Sequence, residues 1–471
     1  MKPITLPLAE LKPALIGLGK VIHKNTTVPI LAGVKIERTR EGWITLTGTD
    51  LDHFVTVRLE QPVDGEPVVL VLPFDELLRT ANRCAKDDAI TVESGSQEGT
   101  VALRYPAGRQ FVESRCASLP VQEFPATPRV KGDPVPIKDD LREIIHEAMD
   151  CASTDQTRQI LNGVYVDVSN PRCNQIVATD SSHLFASNSF TLPLKESLII
   201  PDHKFLAWKG FNSDGEWQLR VSPDGSDAQK QPLQITSRRW RFIAPQYPGK
   251  YPDYRRVIPT DFKTTVQLPG EVLDTAFEIL NHIPCDPENR NNPVCLKVEN
   301  RKLIIRERNE NDAPWADVEV PGAKVTGDPV TICLNRDFAL KALKYGLSKI
   351  EIIDELSPLR FSRDGKQMVV MPIKIKDAPV SETQPEAVPT STTERNNMVA
   401  NKTAPEPVEA KPSLDTAIEQ MEALKESIKG NLASVSNVLG TLKTAQREQK
   451  VARREYSALR GTLRSLQSVR I

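Results

Sequence analysis

No window of this sequence comes near 18 consecutive apolar residues, and the opening stretch MKPITLPLAELKP is broken by prolines and acids where a secretory leader carries an apolar core. Nor is there an excess of charge. The chain has 61 basic and 62 acidic side chains, a formal net charge of −1, which excludes a uniformly basic nucleic-acid coat but leaves room for a localised basic face. The seven cysteines are odd in number and show neither CxxC nor Cys/His spacing, which argues against a disulfide framework and against a zinc site. The motifs GxxxxGKS/T, HExxH and GxSxG are missing, and the six histidines (His23, His53, His146, His183, His203, His282) lie apart without ligand spacing. These absences point away from membrane, secreted, metal-dependent and enzymatic classes. The expectation is a soluble cytoplasmic protein that needs no cofactor and works by binding.

A chain of 471 residues is longer than one hydrophobic core usually serves, so two to four domains of roughly 100–200 residues each are expected. The stretch RQILNGVYVDVSNPRCNQIVATDSSHL, Arg158 to Leu184, shows how they are built. Ile160, Val164, Val166 and Val168 alternate, Ser169-Asn170-Pro171 supplies a turn, and Ile176 and Ala178 resume the alternation. That is a β-hairpin ending in Thr179-Asp180. Near the N-terminus LTGTDLDHF ends another hairpin in Gly48-Thr49-Asp50. Thr49 and Thr179 are 130 positions apart, a spacing of domain duplication and not of a short solenoid repeat.

Each unit opens on an amphipathic helix pattern: Leu8–Lys24 (Leu11, Leu15, Leu18, Ile22), Asp139–Ala152 (Leu141, Ile144, Ile145, Ala148) and Pro269–Ile283 (Val272, Leu273, Ala276, Ile279, Leu280). A hairpin-like strand pair follows, then an apolar strand running into a second helix: VLVLPFDELLRTANR from Val69, LIIPDHKFLAWKGF from Leu198 and TICLNRDFALKALKYG from Thr331. Asp75, Asp202 and Asn335, near these junctions, carry side-chain oxygens suited to capping helix N–H groups. The pattern predicts an α+β fold of three repeated units, each with two helices packed on antiparallel sheets, over residues 1–127, 128–259 and 260–376. A sheet edge must be paired or covered. Joining units edge to edge, and then the outer edges of two chains, closes a ring.

Six runs make a family resemblance specific: TVPILAGVKI (Thr27–Ile36), LTGTDLD (Leu46–Asp52), DQTRQILNGV (Asp155–Val164), VATD (Val177–Asp180), YPDYRRVIP (Tyr251–Pro259) and VVMPIKI (Val369–Ile375). Over roughly residues 1–376 the chain resembles the bacterial sliding clamps, the β subunit of the replicative DNA polymerase. The resemblance implies a head-to-tail homodimer that encircles double-stranded DNA, with helices lining the hole and sheets outside. It also implies as partners the replicative DNA polymerase, the clamp loader ATPase and repair proteins carrying clamp-binding peptides. A topological link gives processivity with only mild phosphate attraction, so a near-neutral chain suits it. The alternative is a clamp-derived interaction scaffold with altered DNA or partner binding, organised by its C-terminal coiled coil.

The candidate DNA-facing cations are Lys12, Lys20, Lys24, Arg79, Arg83 and Lys86 in unit one, Arg142, Lys204 and Lys209 in unit two, and Lys341 and Lys344 in unit three. Helix surfaces carry such residues for solvation as well. By the resemblance, a pocket between units two and three takes short apolar peptides and comprises Leu161, Thr179, Leu184, Pro252, Arg256, Val257, Val370, Met371, Pro372 and Ile373. The chain departs from the family pattern in three places. Ser181-Ser182-His183-Leu184 replaces Gly-His-Arg-Leu, Asp202-His203 stands where basic residues open a helix, and Asn25 replaces an Arg before the TVPIL run.

The family pattern stops near residue 376. Residues 377–412, rich in Pro, Thr, Glu and Ala, read as a disordered linker. Over 413–471 apolar residues return at heptad spacing (Met421, Ile428, Val435, Leu442; Leu424, Val438, Leu459, Leu466), interrupted by Asn431, Gln449 and three glycines, which predicts a helical or coiled-coil tail. From Lys443 to Ile471 eight basic residues face two acidic ones, so this segment suits DNA or an acidic partner, or is a solvated helix face.

Overall fold

The structure, a computed structural model, describes residues 2–374 except 24, 96, 98, 189, 223–231, 248, 285–291 and 308–314. The linker and tail expected over 377–412 and 413–471 lie outside the described residues.

One order of elements runs three times along the chain. Repeat one is β1 (Ile4–Pro7), α1 (Leu8–Leu18), β2 (Gly33–Arg38), β3 (Ile44–Thr49), β4 (Phe54–Arg58), β5 (Val68–Pro73), α2 (Phe74–Arg83), β6 (Ala89–Ser94), β7 (Thr100–Ala107) and β8 (Gln110–Ala117). Repeat two is β9 (Val135–Ile137), α3 (Asp139–Met149), β10 (Gly163–Asp167), β11 (Gln175–Thr179), β12 (His183–Ser187), β13 (Leu198–Pro201), α4 (Lys209–Asn212), β14 (Trp217–Val221), β15 (Leu233–Thr236) and β16 (Trp240–Ala244). Repeat three is β17 (Thr264–Gln267), α5 (Glu271–His282), β18 (Pro293–Glu299), β19 (Lys302–Glu307), β20 (Ala316–Glu319), an added β21 (Lys324–Gly327), β22 (Val330–Asn335), α6 (Arg336–Lys344), β23 (Lys349–Ile352), β24 (Leu359–Arg363) and β25 (Lys366–Val370).

The helices follow the apolar periodicity but end earlier than it suggests. In α1, Leu8, Leu11, Ala14, Leu15 and Leu18 are buried, and the helix stops at Gly19 although Ile22 continues the pattern; glycine is a poor helix residue. Asn335 caps α6, its side-chain oxygen accepting the Asp337 N–H at 2.7 Å. The other two cap expectations are corrected. Asp75 lies inside the first turn of α2, behind Pro73, and no helix starts at Asp202. The second helix of repeat two shrinks to the four residues of α4. Phe205, Leu206 and Phe211 are fully buried there, and the Phe205 ring packs on Phe211 at 4.7 Å and on Trp240 at 5.4 Å. Meanwhile His203 Nδ1 accepts the Phe205 N–H at 3.1 Å, offering the backbone an alternative to a helical bond.

All the strand pairings are antiparallel, and two sheets cross from one repeat to the next. An eight-stranded sheet runs β5-β2-β3-β4-β16-β15-β14-β9, and a nine-stranded sheet runs β13-β10-β11-β12-β25-β24-β23-β17-β21. Both joints use the same rule: the last strand of a repeat (β16, β25) pairs with the fourth strand of the preceding one (β4, β12). Two four-stranded sheets remain at the ends, β1-β6-β7-β8 and β20-β19-β18-β22. Helix α1 packs on α2 and α5 on α6, beneath the sheets. At the first joint Gly17 of α1 lets the indoles of Trp208 and Trp240 lie against the helix backbone; a Cβ there would meet Trp240 Cη2 at 2.3 Å. One expectation about the cysteines is overturned. Cys295 on β18 and Cys333 on β22 are paired neighbours and form a disulfide, a contact that sequence spacing does not encode because the strands meet through the sheet.

Candidate functional site

Across the β12–β25 joint, on the sheet face away from the helices, a second apolar cluster gathers Leu161, Val177, Leu184, Ala186, Ile199, Tyr251, Tyr254 and Val369. The segment 251–257 lies over this face. Tyr251 stacks on Tyr165 with ring centroids 4.4 Å apart, and the Tyr254 hydroxyl donates to the buried Asp167 carboxylate at 2.8 Å. Arg255 binds the same carboxylate at 2.6 Å. Burial works against an ionised Asp167, yet hydrogen bonds from Ser169 and Tyr254 and the Arg255 charge hold it below the usual carboxylate range. The tyrosine-rich strap is thereby fixed in place.

Between strap and sheet a cavity of about 250 Å³ opens to solvent, lined by Leu161, Thr179, Ser181, Ser182, His183, Leu184, Tyr251, Pro252, Asp253, Tyr254, Val257, Val369 and Met371. Asp180 shapes its rim: one oxygen accepts the N–H groups of Ser182 and His183 at 2.7 and 2.9 Å and pairs with His183 Nδ1 at 2.8 Å. The Met371 N–H donates to Ser182 O at 3.0 Å and fastens the end of β25 to that rim. Val257 and Met371, 44% and 42% exposed, leave apolar surface in water at the mouth, as an anchoring site for an apolar side chain requires.

Of the candidate pocket residues, Leu161, Thr179, Leu184, Pro252, Val257 and Met371 line this one cavity. The other four candidates are corrected. Val370 is fully buried among the residues beneath the sheet, because strand alternation turns Val369 to the cavity and Val370 away. Arg256 points outward and pairs with Asp253 at 2.9 Å, while Pro372 and Ile373 run past the rim, the Ile373 N–H donating to Cys333 O at 2.7 Å. Besides Ser181, Ser182 and His183 of the departing SSHL run, the lining residues absent from the candidates are Tyr251, Asp253, Tyr254 and Val369. Tyr251, Asp253 and Tyr254 lie in the YPDYRRVIP run, and the period of two along VVMP signals Val369. A larger polar groove of about 920 Å³ runs along β24 and β25, but Arg360 and Lys366 on it are already paired with Glu351 and Glu147.

The candidate cations divide into two groups. Lys12 donates to Cys84 O at 2.8 Å, closing the C-terminal end of α2; Arg142 donates to Gly215 O at 3.2 Å and pairs with Asp139; Lys341 binds the Asp150 carbonyl. These three hold the fold together. Arg79, Arg83, Lys86, Lys204, Lys209 and Lys344 are exposed, with Arg79 paired to Glu76, and Lys20 is half-buried. Lys24 lies outside the described residues. No helix among the described residues is long and apolar enough to cross a membrane.

No family model matches the chain. Among curated proteins it is 25% identical over 362 residues to the beta sliding clamp of Streptococcus pneumoniae, covering 74% of this chain and 90% of that one. It is 25% identical over 349 residues to the beta sliding clamp of Bacillus subtilis, covering 69% and 85%. Among solved structures, the DNA polymerase III subunit beta of Pseudomonas aeruginosa superposes with a TM-score of 0.67 at 22% identity, covering 79% of this chain and 100% of that one. The DNA polymerase III beta chain of S. pneumoniae gives 0.68 at 20% identity, over 80% and 100%. Similarity along most of the sequence and a shared fold agree: over about three quarters of its length the chain is similar to the beta sliding clamps.

Proposed function

We propose that this protein is a processivity clamp: two copies close into a ring around duplex DNA and tether the replicative polymerase, the clamp loader and repair proteins through the pocket at the β12–β25 joint. The observation that carries this reading is the joint rule. Within one chain the last strand of a repeat twice pairs with the fourth strand of the repeat before it, which leaves β8, the last strand of repeat one, and β20, the fourth strand of repeat three, with no such partner. A second copy supplies both. Phe111 and Val112 on β8 and Val318 on β20 are large apolar side chains in water, 64%, 40% and 37% exposed, on edges that would otherwise invite uncontrolled pairing. The three repeats act as the domains 1–127, 128–259 and 260–376, and the protein works in the cytoplasm without catalysing a reaction or holding a cofactor for it.

The test is loading of the full chain onto nicked circular DNA by a clamp loader, followed by a processivity assay. Retention on circular DNA that is lost when the circle is linearised supports a topological link; no retention overturns it. The scaffold reading has one observation in its favour: Lys12, Arg142 and Lys341 each donate to a backbone carbonyl of the chain itself, a bond that competes with contact to a phosphate. It predicts partner binding with no retention on circular DNA.

A further inference from the structure

The histidines that lie far apart in the sequence meet in space at the first joint. His53 directly precedes β4 and His203 follows β13; their ring centroids are 4.6 Å apart, and both rings lie on Phe242 of β16, at 5.7 and 5.2 Å. Asp50 Oδ2 is 3.1 Å from His53 Nδ1. One donor atom from each of Asp50, His53 and His203 lies within 4.8 Å of the others. We propose that these three side chains form a binding site for a divalent transition-metal ion, zinc foremost, that ties repeat one to repeat two.

The donor set and its support fit such an ion. Two imidazoles and a carboxylate favour zinc and its first-row neighbours over magnesium or calcium. Two donors on a tetrahedral zinc, each with a bond of about 2.0–2.1 Å, stand about 3.3 Å apart, close to the Asp50–His53 separation. The second Asp50 oxygen accepts the N–H groups of Asp52 and His53 at 3.1 and 2.7 Å and so fixes the carboxylate from behind. Metal binding needs a neutral imidazole. His203 Nδ1 accepts the Phe205 N–H, a bond exchanged for the metal when the ring turns the last part of the distance. Three protein donors leave one position for water.

The second joint serves as an internal control. Asp180 and His183 repeat the Asp50–His53 geometry at 2.8 Å, but the ring lying on His183 is Phe338, with centroids 4.0 Å apart. The Asp–His pair therefore builds a turn at both joints, and His203 adds a third donor at one of them.

Zinc is titrated into the full chain against a chromophoric chelator, with cobalt as a visible-spectrum probe, and the melting temperature is read with and without zinc. One high-affinity ion per chain and a zinc-dependent rise in Tm are expected. The variant His203→Phe gives the first joint the composition of the second, and Asp50→Asn removes a charged donor at nearly constant shape. Each should weaken binding by more than about 100-fold, the upper end of what losing a mere outer contact costs, and abolish the zinc-dependent rise. No binding at a tenfold excess of metal overturns the proposal, as does binding by folded His203→Phe that equals that of the parent.

Discussion

At the residue scale, four positions carry measurable consequences. Gly17 is in a helix, where alanine is normally the better residue, yet a methyl there would lie 2.3 Å from Trp240 and 2.6 Å from Trp208. Gly17→Ala should therefore destabilise the protein by about 1–3 kcal/mol, as overpacking does, read as a lower denaturation midpoint. Glu307 is 2% exposed and both its carboxylate oxygens are buried without a hydrogen-bond partner among the described residues. Burial, only partly offset by Arg336, pushes it up to about 7. The folded value lies above the unfolded one, so the stabilisation is complete below about 4.5 and is lost as pH rises through 7. Glu307→Gln should be more stable than the parent at pH 8 by about 1–3 kcal/mol, with the difference closing near pH 4 in paired urea titrations. At the pocket mouth, Met371→Ala with Val257→Ala should cost about 2–4 kcal/mol of partner-peptide affinity while leaving the fold intact. Unchanged affinity in a peptide titration would place the anchor elsewhere.

Elements decide which edges remain to be paired. The strands β16 and β25 are covered by β4 and β12, whereas β8 has β7 on one side and water along most of the other. A charge in the middle of such an edge is a standard way to prevent pairing. If β8 pairs with a second copy as proposed, Val112→Asp should leave the chain folded and shift it towards monomer at micromolar concentration in light scattering; a parent that is monomeric there, or a variant that associates as the parent does, would show that β8 is not the interface. The shortened α4 belongs to the same scale. Its neighbourhood is held by the Phe205, Phe211 and Trp240 rings, so the joint between repeats one and two is an aromatic contact where a long helix was expected.

For the whole molecule, the near-neutral charge of the chain suits the proposed ring, which would hold DNA by topology, and residues 443–471 at the end of the tail carry eight basic against two acidic side chains. If residues 443–471 contact phosphates, their removal should reduce the slope of log affinity against log salt by at most about 5, the value for six net charges each releasing a counterion. If the heptads bind protein instead, truncation changes stoichiometry and leaves the slope alone. DNA affinity at several salt concentrations, for full-length and truncated chains, distinguishes the two.

Much of this was legible in the sequence. The alternation around Val164 and Ile176, the Thr49/Thr179 offset and the amphipathic helices report burial, and burial repeats with the fold, so hairpins, helices and the threefold order of elements could be read directly. The pocket was legible in part, because YPDYRRVIP and VVMPIKI mark where it is but not which way each residue turns; the pleat, and hence the register, puts Val369 in the cavity and Val370 beneath the sheet. Contacts made across strands and between repeats were not legible at all. The Cys295–Cys333 bridge, the meeting of Asp50 and His53 with His203, the carbonyls that engage Lys12 and Lys341, and the position of β8 and β20 at sheet edges all depend on which distant segments the sheets bring side by side. Local periodicity records whether a side chain faces the core, and only the assembled sheets determine which partner it meets there.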